Sequence, residues 1–274
     1  MDGHTLDRLE DSELVVFPSA PFELPGSDDR EFLASQHVGW GHKNISFDPS
    51  TGTVKGSQPG SAERLRSLMC EFSDRVTGWL SEVLPEYARA WQLDLATLRP
   101  EEEATRRLRQ TARNDLLHVD NFPSRPSFGR RVLRVYANLD VNARVWATSE
   151  KFPRLLERFA RRNPIPALHA EGWVRPATGL FRRRAGACEY DALMQRLHHS
   201  LKQDDDFQER AAKRLWELPP GSVWLLFADS LSHAVLRGSC AVEHSFFVPV
   251  PAMRSPEKAP LSQLSESGSL KRAA

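Results

Sequence analysis

Residues 116–140 read LLHVDNFPSRPSFGRRVLRVYANLD, and the second half of that run decides the fold. Between 131 and 139, Leu133, Val135 and Ala137 alternate with Arg134, Tyr136 and Asn138. A strand here therefore has one apolar and one polar face. A second strand signature covers 144–148, and 222–228, 234–236 and 240–250 read as three closely spaced strands opened by Pro219, Pro220 and Gly221. The first half of the run carries His118 and Asp120 two residues apart, so a strand over 116–120 points both side chains to one face. His233 stands at the start of a late strand. Two histidines and a carboxylate on one side of an ion leave its opposite positions open, which is the donor set of non-haem Fe(II) sites.

Outward from these strands the periodicity changes. Over 62–95, Leu65, Leu68, Met69, Phe72, Val76 and Leu80 recur at helical spacing and predict one or two packed helices ended before Pro100. Between 150 and 218, Phe152, Leu155, Leu156 and Phe159, and then Tyr190, Leu193, Met194, Leu197 and Leu201, predict a helical insertion between two sets of strands. Residues 1–57 lack a sustained period and read as irregular with short strands. The stretch 58–250 is the expected main domain, and 251–274, rich in Ser, Pro, Lys and Glu, reads as a disordered tail. The expected fold is α+β: a double-stranded β-helix (jelly-roll) core braced by N-terminal helices and the insertion.

The 274 residues suffice for a sizeable core. Thirty-seven basic residues against 36 acidic ones leave no global field to draw nucleic acid, so any anion must be met locally. Cys70, Cys188 and Cys240, odd in number and far apart, fit neither a disulfide framework nor a Cys-x-x-Cys zinc site, and suit a reducing cytoplasm. The N-terminal residues do not resemble a secretory signal, and apolar runs such as 223–228 are too short to span a bilayer.

His-x-Asp alone is a short signal. His169 and Glu171 repeat it, but between Pro166 and Gly172 in a loop context, and His244 is a rival third ligand placed mid-strand rather than at a strand start. More specific is the order of three blocks: residues 116–140, the helical EYDALMQRLHHSLKQDDDFQ at 189–208, and PPGSVWLLFADSLSHAVLRGSCAVEHSFFVPV at 219–250. Together these resemble the bacterial Kdo hydroxylase family over about residues 40–250. The resemblance implies an Fe(II)- and 2-oxoglutarate-dependent dioxygenase with O₂ as co-substrate, hydroxylating position 3 of 3-deoxy-D-manno-oct-2-ulosonic acid (Kdo) in the lipopolysaccharide inner core. It implies His118, Asp120 and His233 as iron ligands.

Many oxygenases of this wider superfamily carry an Arg or Lys about ten residues after the distal histidine to hold 2-oxoglutarate, where this chain has Glu243 and His244. The polar face of the 131–139 strand supplies an alternative: Arg134, assisted by Tyr136 or Asn138, with Arg131 the rival if the strand faces the other way. For an anionic Kdo-containing glycolipid, Arg113 and Arg125 are the expected contacts. An acceptor presented at the inner face of the inner membrane implies a cytoplasmic protein, at most peripheral, docking through Arg161, Arg162 and Arg182, Arg183, Arg184. Two other classes share parts of this pattern: a non-catalytic jelly-roll carbohydrate-binding module, and a cupin-type metal-dependent sugar isomerase.

Overall fold

The computed structural model describes residues 4–166, 168–174 and 188–273. In chain order, α1 (His4–Glu10), β1 (Val15–Phe17), α2 (Ser27–Ala34), β2 (Ile45–Asp48) and β3 (Thr53–Lys55) precede the long helix α3 (Ala62–Val83), the single turn α4 (Pro85–Ala88) and β4 (Gln92–Arg99). A long connection then leads to β5 (Arg131–Asn138) and β6 (Arg144–Lys151). The insertion holds α5 (Phe152–Ala160), α6 (Ala170–Val174), α7 (Glu189–Gln203) and α8 (Asp205–Arg210). The chain ends with β7 (Arg214–Leu218), β8 (Val223–Phe227), β9 (Leu231–Arg237), β10 (Ala241–Val248) and α9 (Pro260–Ala273).

Among the described residues the strands form two antiparallel sheets, ordered β1-β8-β5-β10-β4-β2-β3 and β7-β6-β9. The alternation in β5 does what its chemistry requires. Leu133, Val135 and Ala137 pack with Leu65, Met69, Phe72 and Val76 of α3 on the outer side of the large sheet. Val132 and Tyr136 turn the other way and meet Trp224, Trp146 and Val235 between the two sheets. Leu155, Leu193, Leu197 and Ala234 form a third cluster, covering the outer side of the small sheet with the insertion helices. Burying each such aliphatic side chain contributes about 1.5–3 kcal/mol. The molecule is thus a mixed helix-and-sheet fold with antiparallel sheets stacked between helical layers.

Several expectations shift. Residues 116–120 are not a strand: His118 makes an isolated bridge with His233, through reciprocal backbone bonds of 3.1 and 2.9 Å, and the Asp120 N–H donates to Ala228 O at 2.7 Å. The helical region ends earlier than 95, because residues 92–99 pair with β10 as β4; Ala96 and Leu98 alternate into the core over a stretch too short to stand out beside a 22-residue helix. Likewise the insertion stops short of 218, since β7 pairs with β6. Residues 1–57 do more than supply short strands. They add α1 and α2, and Leu6, Leu9, Val15, Ile45 and Phe47 enter the main core.

The tail expected over 251–274 is ordered and packed through its first half. Met253, Ala259 and Leu264 are buried, Arg254 N and Ser255 N donate to the buried Glu10 carboxylate at 2.8 and 2.7 Å, and Tyr87 Oη donates to the same group at 2.8 Å. Leu261 lies over Gly129, which holds φ at +79°; a Cβ there would sit 2.7 Å from Leu261 Cδ2. A few widely spaced anchors fix this segment, and average composition hides them.

Candidate metal centre

His118 reaches the site from the irregular 116–120 segment and His233 from the start of β9, and the mutual bridge between them sets both rings side by side, with centroids 4.8 Å apart. Each ring is fixed from behind. Nδ1 of His118 lies 2.7 Å from Leu116 O, and Nδ1 of His233 lies 2.9 Å from Leu231 O. A carbonyl only accepts, so Nδ1 carries the proton and each Nε2 keeps a lone pair. Both Nε2 atoms face Asp120, at 3.7 Å from Oδ1 and 3.7 Å from Oδ2 respectively. The ligand atoms of His118, Asp120 and His233 lie within 4.8 Å of one another, all three residues being buried; no other such trio occurs among the described residues.

The electrostatics suit a cation. Burial holds both histidines below the usual imidazole range, with repulsion from Lys202 and His233 adding at His118, so both are neutral at pH 7 with Nε2 free to accept a cation. Burial, the largest single effect, would raise Asp120, but the Arg134 guanidinium together with His233, His198 and Arg99 outweighs it and holds the carboxyl below its ordinary range. Asp120 Oδ2 has no aligned hydrogen-bond donor although it is buried, despite the Arg134 Nη1 charge 2.9 Å away. Two neutral imidazoles and an under-satisfied carboxylate match a divalent first-row metal, and the remaining directions open into a cavity of about 260 Å³.

That cavity has a cationic wall on the strands. Arg134 on β5 pairs with Asp120 and, at 3.0 Å through Nη2, with Glu243 on β10; its Nη1 also donates to Tyr136 Oη at 3.0 Å. Arg99 on β4 donates to Glu243 from Nε and Nη2 at 2.9 and 2.7 Å. Glu243 is 1% exposed, and burial would raise it, but Arg134 and Arg99 together hold it below the ordinary carboxylate range. The residue standing where a base is common thus holds two guanidiniums at the cavity instead. Lys43, Asn114, His198 and Lys202, from the N-terminal segment, the connection before residue 116 and α7, also line the cavity.

Of the residues singled out from sequence, Tyr136, Arg134 and Arg125 line the cavity with His118, Asp120 and His233. Arg125 also pairs with Asp94 and lies 4.6 Å over the Phe122 ring. Asn138 does not line it. Its amide donates to Asn142 O and Leu218 O at 2.9 Å and it caps the β5–β6 turn, because β5 has left the cavity by its last residue. Arg113 is likewise absent, held by Asp115 outside the lining. Arg131 turns away and pairs with Asp229 at 2.9 Å. His244 faces the core, with Nε2 3.2 Å from Asp94 O, and cannot replace His233. His169 and Glu171 do not join the metal-ligand trio. Arg161 and Arg162 are exposed beyond α5, and Arg182, Arg183 and Arg184 lie outside the described residues.

Sequence reasoning missed Arg99, Lys43 and Lys202. Of these only Lys202 left a local trace: it follows His198 by one helical turn on α7, beside the apolar stripe ending at Leu201.

Known proteins can now be set beside this geometry. The family described as 3-deoxy-D-manno-oct-2-ulosonic acid (Kdo) hydroxylase matches residues 2–269. The crystal structure of the Kdo hydroxylase KdoO, a non-heme Fe(II) alphaketoglutarate dependent dioxygenase, in complex with cobalt(II), is 28% identical with a TM-score of 0.85, over 96% of this chain and 89% of that one. The same enzyme in complex with alphaketoglutarate and Fe(III) superposes with a TM-score of 0.82 at 28% identity, over 96% and 88% of the two chains. No curated protein is a significant match.

Proposed function

Because the chain belongs to the Kdo hydroxylase family, we propose that its pocket holds Fe(II) on His118, Asp120 and His233 and uses 2-oxoglutarate and O₂ to hydroxylate position 3 of Kdo in the lipopolysaccharide inner core. The observation that carries this is the convergence of three buried donors at one end of a cavity lined by arginine and lysine. Two stacked antiparallel sheets holding the donors at one opening are what a double-stranded β-helix oxygenase core provides. The bound metal and co-substrate supply the oxidising chemistry, with 2-oxoglutarate decarboxylated to succinate as the substrate C–H becomes C–OH.

The protein's own groups bind and orient. Leu116 and Leu231 carbonyls keep the two imidazoles in the ligating tautomer. Arg134, with Tyr136 beside it, takes the far carboxylate of 2-oxoglutarate through its planar fork, and Arg99 supplies the second guanidinium of that wall. Glu243 fixes both before the co-substrate arrives. Arg125, at the rim beside Phe122, faces the anionic acceptor. No helix among the described residues is long and apolar enough to cross a membrane, and the lipid-linked acceptor is met by peripheral contact from the cytoplasmic side, through exposed basic groups such as Arg161 and Arg162.

The test is succinate release by purified protein with Fe(II) and 2-oxoglutarate, with and without Kdo-lipid A, together with mass analysis of the lipid. Acceptor-stimulated succinate and a gain of one oxygen atom on Kdo are expected. Binding of the lipid without succinate would leave a carbohydrate-binding module, and an isomerised sugar without 2-oxoglutarate use would leave a cupin-type isomerase.

A further inference from the structure

The cationic groups lining the cavity differ in how their charges are met. On the strand wall, Arg99 and Arg134 are each within ion-pair distance of Glu243, and Arg134 also of Asp120. By contrast Lys202 on α7 is 1% exposed, and among the described residues its Nζ donates to a neutral carbonyl, Thr111 O, at 3.2 Å. Lys43 stands at the rim, its residue surface open to solvent, with its ammonium turned inward to Asn114 Oδ1 at 2.6 Å. Among the described residues neither lysine has a carboxylate within 4.0 Å, whereas each ammonium has three protons to place. A buried cation without a counter-charge is costly and is kept where a ligand supplies the anion.

We propose that Lys202 and Lys43 clamp the carboxylate of the sugar acid that is hydroxylated, and so set which acceptor the enzyme takes. This rests on the hydroxylase reading above. The charge balance favours it: 2-oxoglutarate carries two negative charges and Fe(II) two positive ones, so co-substrate and metal neutralise each other and leave the lysine pair for a further anion. The substrate's chemistry favours it too. In a 3-deoxy-2-ulosonic acid the carboxyl carbon is two bonds from carbon 3, so a carboxylate held by these lysines keeps the C–H to be oxidised within the cavity that His118, Asp120 and His233 also line. Lys202 is placed for that, since His198, one turn before it on α7, sits edge-on to the metal-ligand ring of His118 at 5.2 Å. The two lysines come from the N-terminal segment and the helical insertion, so acceptor choice is carried by parts of the chain outside the ligand-bearing strands.

The experiment uses the full chain loaded anaerobically with Fe(II), and the variants Lys202→Met, Lys43→Met and Lys202→Arg. Three readings are taken: equilibrium affinity for 2-oxoglutarate, KM for Kdo-lipid A, and KM for the same lipid with the Kdo carboxylates methylated. We expect each Met variant to raise the acceptor KM about tenfold or more, as for loss of one charge-assisted contact, with 2-oxoglutarate affinity within about twofold of wild type. Lys202→Arg should recover part of the loss. Wild type should prefer acid to ester, and Lys202→Met should lose that preference. An unchanged acceptor KM in both Met variants overturns the clamp, as does a loss confined to 2-oxoglutarate affinity. Lys43→Met, at the rim, tests it even if Lys202→Met fails to fold. Wild type that releases no acceptor-dependent succinate overturns the hydroxylase reading, and the clamp with it.

Discussion

Replacing Arg134 by Met removes the group that joins Asp120 of the candidate metal site to Glu243 of the cavity wall, and two effects are expected. In the free protein the guanidinium meets Asp120 Oδ2 at 2.9 Å, Glu243 Oε1 at 3.0 Å and Ser245 Oγ at 3.2 Å. Breaking a buried ion pair from one side typically costs about 3–5 kcal/mol. Here Glu243 keeps Arg99 at 2.7 Å, but Asp120 is left facing the lone pairs of two neutral imidazoles, so the stability loss of the metal-free protein should reach about 3 kcal/mol, roughly a 6–12 °C fall in Tm for a domain of this size. The second effect is on 2-oxoglutarate. Loss of a charge-assisted two-point contact costs about 1.5–3 kcal/mol, which weakens affinity by roughly one to two decades. Anaerobic titration of the Fe(II) protein with 2-oxoglutarate reads this directly, and Arg134→Lys, which keeps the charge without the fork, should fall between wild type and Met. A folded Arg134→Met protein whose 2-oxoglutarate titration matches wild type would refute the assignment and pass the role to Arg99.

Asp120→Ala should bind iron at far below one equivalent while retaining the wild-type circular dichroism spectrum; full iron content and turnover in that variant would remove Asp120 from the donor set. The pH dependence of acceptor use should show a fall on the alkaline side. Burial first, with repulsion from Arg99 against attraction to Glu103 and Asp120, brings Lys43 down to about 7 and Lys202 to about 8. The charged form of a lysine is the low-pH form, so a lowered pKa moves loss of the ammonium from above pH 10 into the pH 7–8 window. kcat/KM for the acceptor should therefore drop as pH rises through it, whereas in kcat the bound carboxylate moves the drop upward; a flat kcat/KM profile from pH 6 to 9 counts against it. Gly129→Ala should destabilise, since its Cβ would meet Leu261 at 2.7 Å at a backbone φ of +79°, and a thermal melt equal to wild type would show that the C-terminal segment is not held there. Glu10→Ala strips acceptors from Tyr87 Oη, Arg254 N and Ser255 N, and about 1–3 kcal/mol per orphaned group predicts protease sensitivity beginning near residue 254.

By itself the sequence determined whatever is local or periodic. The two-residue alternation of β5 fixed which face carries Arg134 and Tyr136, and the helical stripes of α3 and α7 fixed their buried sides. The convergence of His118, Asp120 and His233 was legible because residue type and order, together with the family resemblance, bring these donors to one place even when the segment bearing two of them was given the wrong conformation. Tertiary structure decided what depends on partners far along the chain. Residues 116–120 are held by one reciprocal pair of backbone bonds to His233 and a bond to Ala228, not by a ladder, and no local period encodes that. Asn138 and Arg113 looked as suitable as Tyr136 and Arg125, and only the path of the chain past the cavity separates them. Arg99 and Glu243 meet across 144 residues, and Lys43 meets Asn114 across 71. A charge can be buried only where its neighbours permit, and for these groups the neighbours are chosen by folding the whole chain.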